Sequence, residues 1–488
     1  MTTRLNSRIA PAGMRGFFVL FVLLLTLTPA AARAADAPVV SGPVSGGTHG
    51  RPFTSSFADL AGSGYIEEEY FVAGAATVYG ARGPLGSDGL WSAVPAGSQP
   101  YKTRLLVRRP KDSERFNGTV VLEWLNVSGG FDIDAEWGYA YPELMRDGFV
   151  WVGVSAQRAG VMGPPLRAGF SQPLTVWDPA RYGSLSIATD DISYDIFTQA
   201  ARLVGPNRPQ GGSAASGPDP LHGLKVARIL GVGVSQSANR LVIYADAVQP
   251  VAGLLDGILI GSRIGARGGS APLAADLPLP DPVKIRNDLE VPVLVTETES
   301  DAPSHFPART PDSDRYRLWE MAGTTHQNAW ADTYFGAEIK RDLGASGLGG
   351  CDRPVNDLPT QHVADAAIRA LDLWVREGKA PASAPPIAIS GSPPAIERDG
   401  AGNALGGLRL PELAVPVARY GGVGTPDQCR LDGFAVRFDR ETLEKLYPSH
   451  AAYVAKIKDA VAAAEKSGFI LPPEAEEEMR KAEAAAIP

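Results

Sequence analysis

Cysteine is nearly absent from this chain: Cys351 and Cys429 are the only two in 488 residues. Neither forms a C-x-x-C pair, and no H-E-x-x-H stretch occurs. The short ligand spacings of zinc sites are therefore missing, and no metal and no other cofactor is expected. Histidine is scarce too, with six. Positive charge is in deficit, with 46 Lys and Arg against 54 Asp and Glu, a formal charge of −8. The first 34 residues carry four arginines and no acid, so without them −8 becomes −12. Such an acidic chain is a poor partner for nucleic acid or anionic lipid. Long apolar runs are confined to "FFVLFVLLLTLT", about a dozen residues where roughly 20 are needed to span a bilayer. Arg4, Arg8 and Arg15 precede that run and "AARAADA" follows it. A basic start, a short apolar stretch and an A-x-A site describe a secretory signal peptide, residues 1–34, cut after Ala34. The mature protein is then expected to be secreted or periplasmic, without a stable membrane anchor. In an oxidising compartment the two cysteines are expected to form one disulfide, serving stability.

What is present is a large apolar share, 44% of residues, enough for a sizeable core. "GYIEEEYFVAGAATVY" and "YKTRLLVRRP" read as an antiparallel opening. Apolar strands then alternate with helical stretches. Strands are expected at 118–127, at 149–156, and in "LKVARILGVGV", "LLDGILIGS", "VPVLVTETES" and "YRLWEMAG". Helices are expected in "PELMRDGFV", at 191–204, in "SANRLVIYADAV", at 362–378, and from "ETLEKLYPSH" onward. That alternation implies an α/β fold with a mostly parallel sheet covered on both faces. No repeat and no sharp linker divides residues 35–488, which read as one domain. Gly-, Pro- and Asp-rich insertions at 157–190 and 262–288 are long enough to be lid or pocket elements. A C-terminal extension begins at about 331.

The stretch "GVGVSQSANR" sets Ser235 between a strand and a helix. This is the setting of a nucleophile elbow, where a tight turn presents the serine and its neighbours must be small. Gly233 and Ser237 meet that need, although the usual pattern has glycine at the second position. "GVSAQ" is a decoy: Gln157 is too bulky for an elbow and no helix follows, so Ser155 reads as structural.

A serine hydroxyl needs a base, and the base needs an orienting acid. His326 lies just past the last strand, in "WEMAGTTHQN". His49 and His222 precede the serine, His305 has no strand of its own, and His362 and His450 lie in or beside helices. Glu297, Glu299 and Asp301 compete for the acid. Alternation puts both glutamates on one strand face, and Asp301 in the loop beyond, where such an acid usually sits. Asp301 leads and Glu299 follows. For the oxyanion, the backbone N–H of Gln236 is one expected donor. Val127 and Ser128, in the glycine-bearing loop "NVSGGFD" with Gly129 and Gly130, are expected to supply the other. Asn126-Val127-Ser128 also spells a glycosylation sequon, read here as coincidence.

The combination of "VVLEWLNVSGGFDIDAEWGYAYPELMRDGFVWVGVSAQRAGV", "ISYDIFTQAARLV", "LGVGVSQSANRL", "WEMAGTTHQNAW" and "GNALGGLRLPELAVPVARYGG" resembles the secreted bacterial "alpha/beta hydrolase domain" family over nearly the whole mature chain. The resemblance implies an α/β-hydrolase fold. It sets Ser235 and His326 at the family's serine and histidine positions, and Asp301 at the superfamily's acid position. It implies an activity class and no particular substrate.

The leading expectation is a serine esterase acting through an acyl-enzyme on a small or polymeric ester, lactones and aryl esters included. A peptidase or amidase on the same residues is the alternative within enzymes, and a non-catalytic binding protein on a hydrolase scaffold the alternative outside them. Trp124, Phe131, Trp137 and Trp330 are candidates for an apolar acyl pocket, although core packing is the commoner fate of tryptophan.

Overall fold

The computed structural model describes residues 38–163, 172–208, 217–263, 272–345 and 350–487. The expected signal peptide, 1–34, lies outside them, as do parts of both expected insertions. Among the described residues no helix is long and apolar enough to cross a membrane.

Ten strands form the central sheet: β1 (Val39–Ser41), β2 (Tyr65–Ala81), β3 (Ala93–Pro110), β4 (Thr119–Trp124), β5 (Val150–Val154), β6 (Ser186–Ile187), β7 (Arg228–Val234), β8 (Gly257–Gly261), β9 (Val293–Thr298) and β10 (Tyr316–Met321). Their order is β1-β2-β3-β5-β4-β7-β8-β9-β10, with β6 paired to β3. The β2–β3 hairpin and its β5 neighbour are antiparallel, and every pairing from β5 through β4 to β10 is parallel. The helices that matter to the site are α1 (Ala135–Arg146), α2 (Ser193–Val204), α3 (Gln236–Ile243), α4 (Ala329–Leu343), α5 (Thr360–Glu377), α6 (His450–Lys466) and α7 (Pro472–Ala484).

The parallel strands read as continuous apolar runs because both faces are covered. Along β4, Val120, Leu122 and Trp124 join one core with Tyr194 and Phe197 of α2 and Leu241 of α3. The alternate residue Val121 faces a second core with Trp137 of α1 and Leu371 of α5. Burying one such side chain contributes ~1.5–3 kcal/mol, so both patterns lock the register.

Three local departures from the sequence reading have clear causes. The helix expected at "PELMRDGFV" starts earlier, at Ala135, and runs through Pro142. Proline cannot donate to the Gly138 carbonyl, and the Trp330 indole N–H donates to it at 2.9 Å instead. The single helix expected after residue 440 is two, Arg440–Leu446 and α6, interrupted at Pro448. Within 157–190, read as irregular, Arg158–Val161, Leu174–Trp177 and Pro179–Tyr182 each form one helical turn.

Candidate functional site

Ser235 sits where β7 turns into α3, with φ 61° and ψ −119°. A positive φ in a non-glycine residue is strained, and the surrounding turn must hold it. A Cβ on Gly233 would meet the Ser237 carbonyl oxygen at 2.7 Å, so only glycine fits there. Ser237 explains the departure from the usual pattern. Its hydroxyl accepts from the Val234 N–H at 3.0 Å and lies 2.9 Å from the Val234 carbonyl. It thus ties the end of the strand to the start of the helix.

The other two residues arrive on the loops after β9 and β10. Ser235 Oγ lies 2.9 Å from His326 Nε2, and His326 Nδ1 lies 2.9 Å from Asp301 Oδ2. The Thr298 hydroxyl also donates to Asp301 Oδ2, at 2.6 Å. Burial pushes the His326 imidazole toward lower pKa, and the facing Asp301 carboxylate outweighs it, leaving His326 above its ordinary value. Ser235 and Asp301 are buried, and the His326 side chain is 9% exposed. A neutral imidazole so held can take a hydroxyl proton on Nε2 while keeping its Nδ1–H on the carboxylate.

The rival acids are engaged elsewhere. Glu299 accepts from the Gly323 N–H at 2.7 Å, the Gly422 N–H at 3.2 Å and Arg398 at 2.7 Å. It fastens the loop before His326 to the C-terminal extension. Glu297 is fully buried, accepts from the Arg263 N–H at 3.3 Å, and is pushed well up in pKa by burial and by the Asp301 charge. Ser155 is structural: its hydroxyl donates to Asp132 and accepts from Arg104 at 3.0 Å.

The proposed oxyanion donors separate. Gln236 is the first residue of α3, and its N–H has no acceptor within the helix. The Val127 N–H points toward the Gln236 side-chain carbonyl at 3.4 Å. Ser128 does not fit: its N–H donates to Asn126 Oδ1 at 2.7 Å, closing a local turn. Asn126 itself escaped sequence reading, where it was only a sequon. Its buried amide also donates to the Val234 carbonyl at 2.9 Å, joining the Val127 loop to the elbow. Asparagine just after a strand and before a glycine pair was the signal available.

The aromatic candidates divide as well. Trp124 is buried against Phe197, and Trp137 is buried between Arg108 and Trp151. Phe131 is buried and edges onto Phe53. Trp330 lines an open cleft of about 190 Å³ with Phe57, Tyr141 and Tyr334.

The disulfide links Cys351 to Cys429, with Cα atoms 5.7 Å apart. Two residues past Cys429, the Leu431 carbonyl accepts from the Gln327 N–H at 2.9 Å. The bridge therefore bears on the strand of chain next to His326, which sequence distance alone did not suggest.

A family model described as "Alpha/beta hydrolase domain" matches residues 40–480. A search of curated proteins gave no match. Solved structures that resemble the chain include a Klebsiella pneumoniae protein designated a dienelactone hydrolase, 15% identical over 56% of this chain and 95% of its own, with TM-score 0.30. A Xanthomonas campestris serine hydrolase without a lid is 14% identical over 55% of this chain and 96% of its own, with TM-score 0.27. A thermostable esterase from Pseudomonas putida is 15% identical over 50% of this chain and 67% of its own, also with TM-score 0.27.

Proposed function

Since the chain belongs to the alpha/beta hydrolase domain family and has the α/β-hydrolase fold, we propose that it is an exported serine hydrolase cleaving carboxylic esters through Ser235, His326 and Asp301. One observation carries this reading: a single imidazole lies 2.9 Å from the Ser235 hydroxyl on one nitrogen and 2.9 Å from a carboxylate on the other. Ser235 Oγ attacks the acyl carbon as His326 Nε2 takes its proton. Asp301 holds the Nδ1–H and stabilises the imidazolium. The N–H groups of Gln236 and Val127 take the charge of the tetrahedral oxyanion, each such donor lowering the barrier by ~3 kcal/mol. The Gln236 side-chain carbonyl turns aside from the Val127 N–H as the substrate oxygen arrives. His326 then returns the proton to the leaving alcohol and activates the water that frees the enzyme. Export by the 1–34 signal peptide, with 35–488 as one catalytic domain, completes the proposal.

The test uses p-nitrophenyl esters of graded acyl length, p-nitroanilides and a fluorophosphonate label. Wild type should turn over the esters, be labelled on Ser235, and leave the anilides nearly untouched. Ser235→Ala should lose both turnover and label with its fold intact. Full ester turnover by that variant would sink the serine mechanism. Faster anilide than ester cleavage would move the reading to an amidase.

A further inference from the structure

Away from the elbow, His362 at the start of α5 meets the glutamates of α7. The His362 side chain is 4% exposed, and its Nδ1 lies 3.4 Å from Glu478 Oε1 without a hydrogen-bond partner. Its Nε2 lies 3.9 Å from Glu477 Oε2. One ligand atom from each of these three residues lies within 4.8 Å of the other two. A further carboxylate, Glu412 of the short helix Pro411–Ala414, is pushed well up in pKa by burial and by Glu478, and its Oε2 has no hydrogen-bond partner. Lys481 reaches Glu477 at 2.8 Å and Glu478 at 3.0 Å. Glu477 and Glu478 beside one ammonium leave one negative charge in excess, next to a buried imidazole nitrogen without a hydrogen-bond partner.

We propose that His362, Glu477 and Glu478 bind a divalent transition cation of the zinc type. The imidazole selects a borderline ion over calcium or magnesium, which take oxygen ligands. Zinc–ligand distances of ~2.0–2.2 Å require the cluster to contract modestly around the ion. The Lys481 side chain, half-exposed, moves to solvent as the ion takes its place. The ion would clamp α7 onto α5, which packs on α1. Its residues come from positions 362 and 477–478, too far apart for any ligand-spacing motif.

The experiment titrates the chelator-stripped chain with Zn²⁺ by calorimetry and follows the unfolding midpoint. One ion per chain, bound at micromolar affinity or tighter, should raise the midpoint, while Ca²⁺ and Mg²⁺ should leave it unmoved. Glu477→Gln, at a side chain 42% exposed that the fold should tolerate, should weaken binding at least tenfold, and His362→Gln more. X-ray absorption of the wild-type zinc complex should show one imidazole nitrogen among oxygen donors. No zinc uptake, uptake unchanged in Glu477→Gln, a response to Ca²⁺ equal to that for Zn²⁺, or a zinc shell lacking imidazole would each overturn the proposal. In the first case a shared proton between Glu412 and Glu478 is the occupant.

Discussion

His326 feels two opposed influences, burial lowering its pKa and Asp301 raising it, and the carboxylate prevails. In the proposed mechanism His326 must be neutral to accept the Ser235 proton. The acidic limb of kcat/KM should therefore lie above the ordinary imidazole value of 6.5. A folded-state pKa raised in this way also adds stability that is full below 6.5 and fades as pH climbs through the raised value. Asp301→Asn should bring the limb down and lower kcat by ~10⁴-fold, as loss of a triad acid does. An acidic limb well below 6.5 in wild type would remove Asp301 from this role. Glu299→Gln should behave differently. It weakens charge-assisted bonds worth ~1.5–3 kcal/mol each, so thermal stability should drop while turnover falls far less than in Asp301→Asn. If Glu299→Gln proved the crippled variant, the two acids would exchange roles. Ser237→Ala should cost about 1 kcal/mol in a denaturant titration, because its hydroxyl bonds Val234. An unchanged midpoint would mean that bond adds nothing.

At the level of elements, the loop between β4 and α1 is held by charge buried beneath it. Arg104 of β3 is fully buried and pairs with Asp132 at 2.8 Å, and Arg108, also fully buried, pairs with Asp134. A bridge between Asn126 and Ile133 closes the loop that carries Val127. Arg104→Met would leave Asp132 buried without its cation, at a cost of ~3–5 kcal/mol. The unfolding midpoint should fall steeply, and kcat should drop with it because the Val127 N–H loses its support. Retained midpoint and rate would show that Ser155 alone suffices for Asp132. Apolar runs announced β2, β3 and the parallel strands, since burial writes itself into residue order. The arginines of β3 gave no such notice. Arg104 and Arg108 face inward like apolar residues, and acidic partners at positions 67, 69, 132 and 134 make that tolerable.

For the whole molecule, the C-terminal extension is part of the site's frame. It supplies Arg398 and Gly422 to Glu299, and Leu431 to the chain beside His326. The Cys351–Cys429 bridge closes 78 residues of it, where removal typically costs ~2–5 kcal/mol. Reduction should lower the unfolding midpoint and also slow ester turnover, because Leu431 follows Cys429 so closely. Thiol titration before and after reduction, paired with rates at constant temperature, checks both. An unaltered rate at full reduction would restrict the bridge to stability. Residue order alone was enough for the layered α/β architecture and to single out Ser235 and His326, whose side chains the fold sets 2.9 Å apart. An elbow is a local turn whose steric demands fall on adjacent positions, and a lone histidine after a final strand has few rivals. Order alone could not choose among Glu297, Glu299 and Asp301 by contact, nor discard Ser128, nor find Asn126. Those outcomes depend on where each side chain finds a partner, and the partners lie on other strands and loops. The cluster of His362 with Glu477 and Glu478 depends on tertiary structure for the same reason. Its charges become neighbours only when α7 docks on α5, and only then does burial make their repulsion costly.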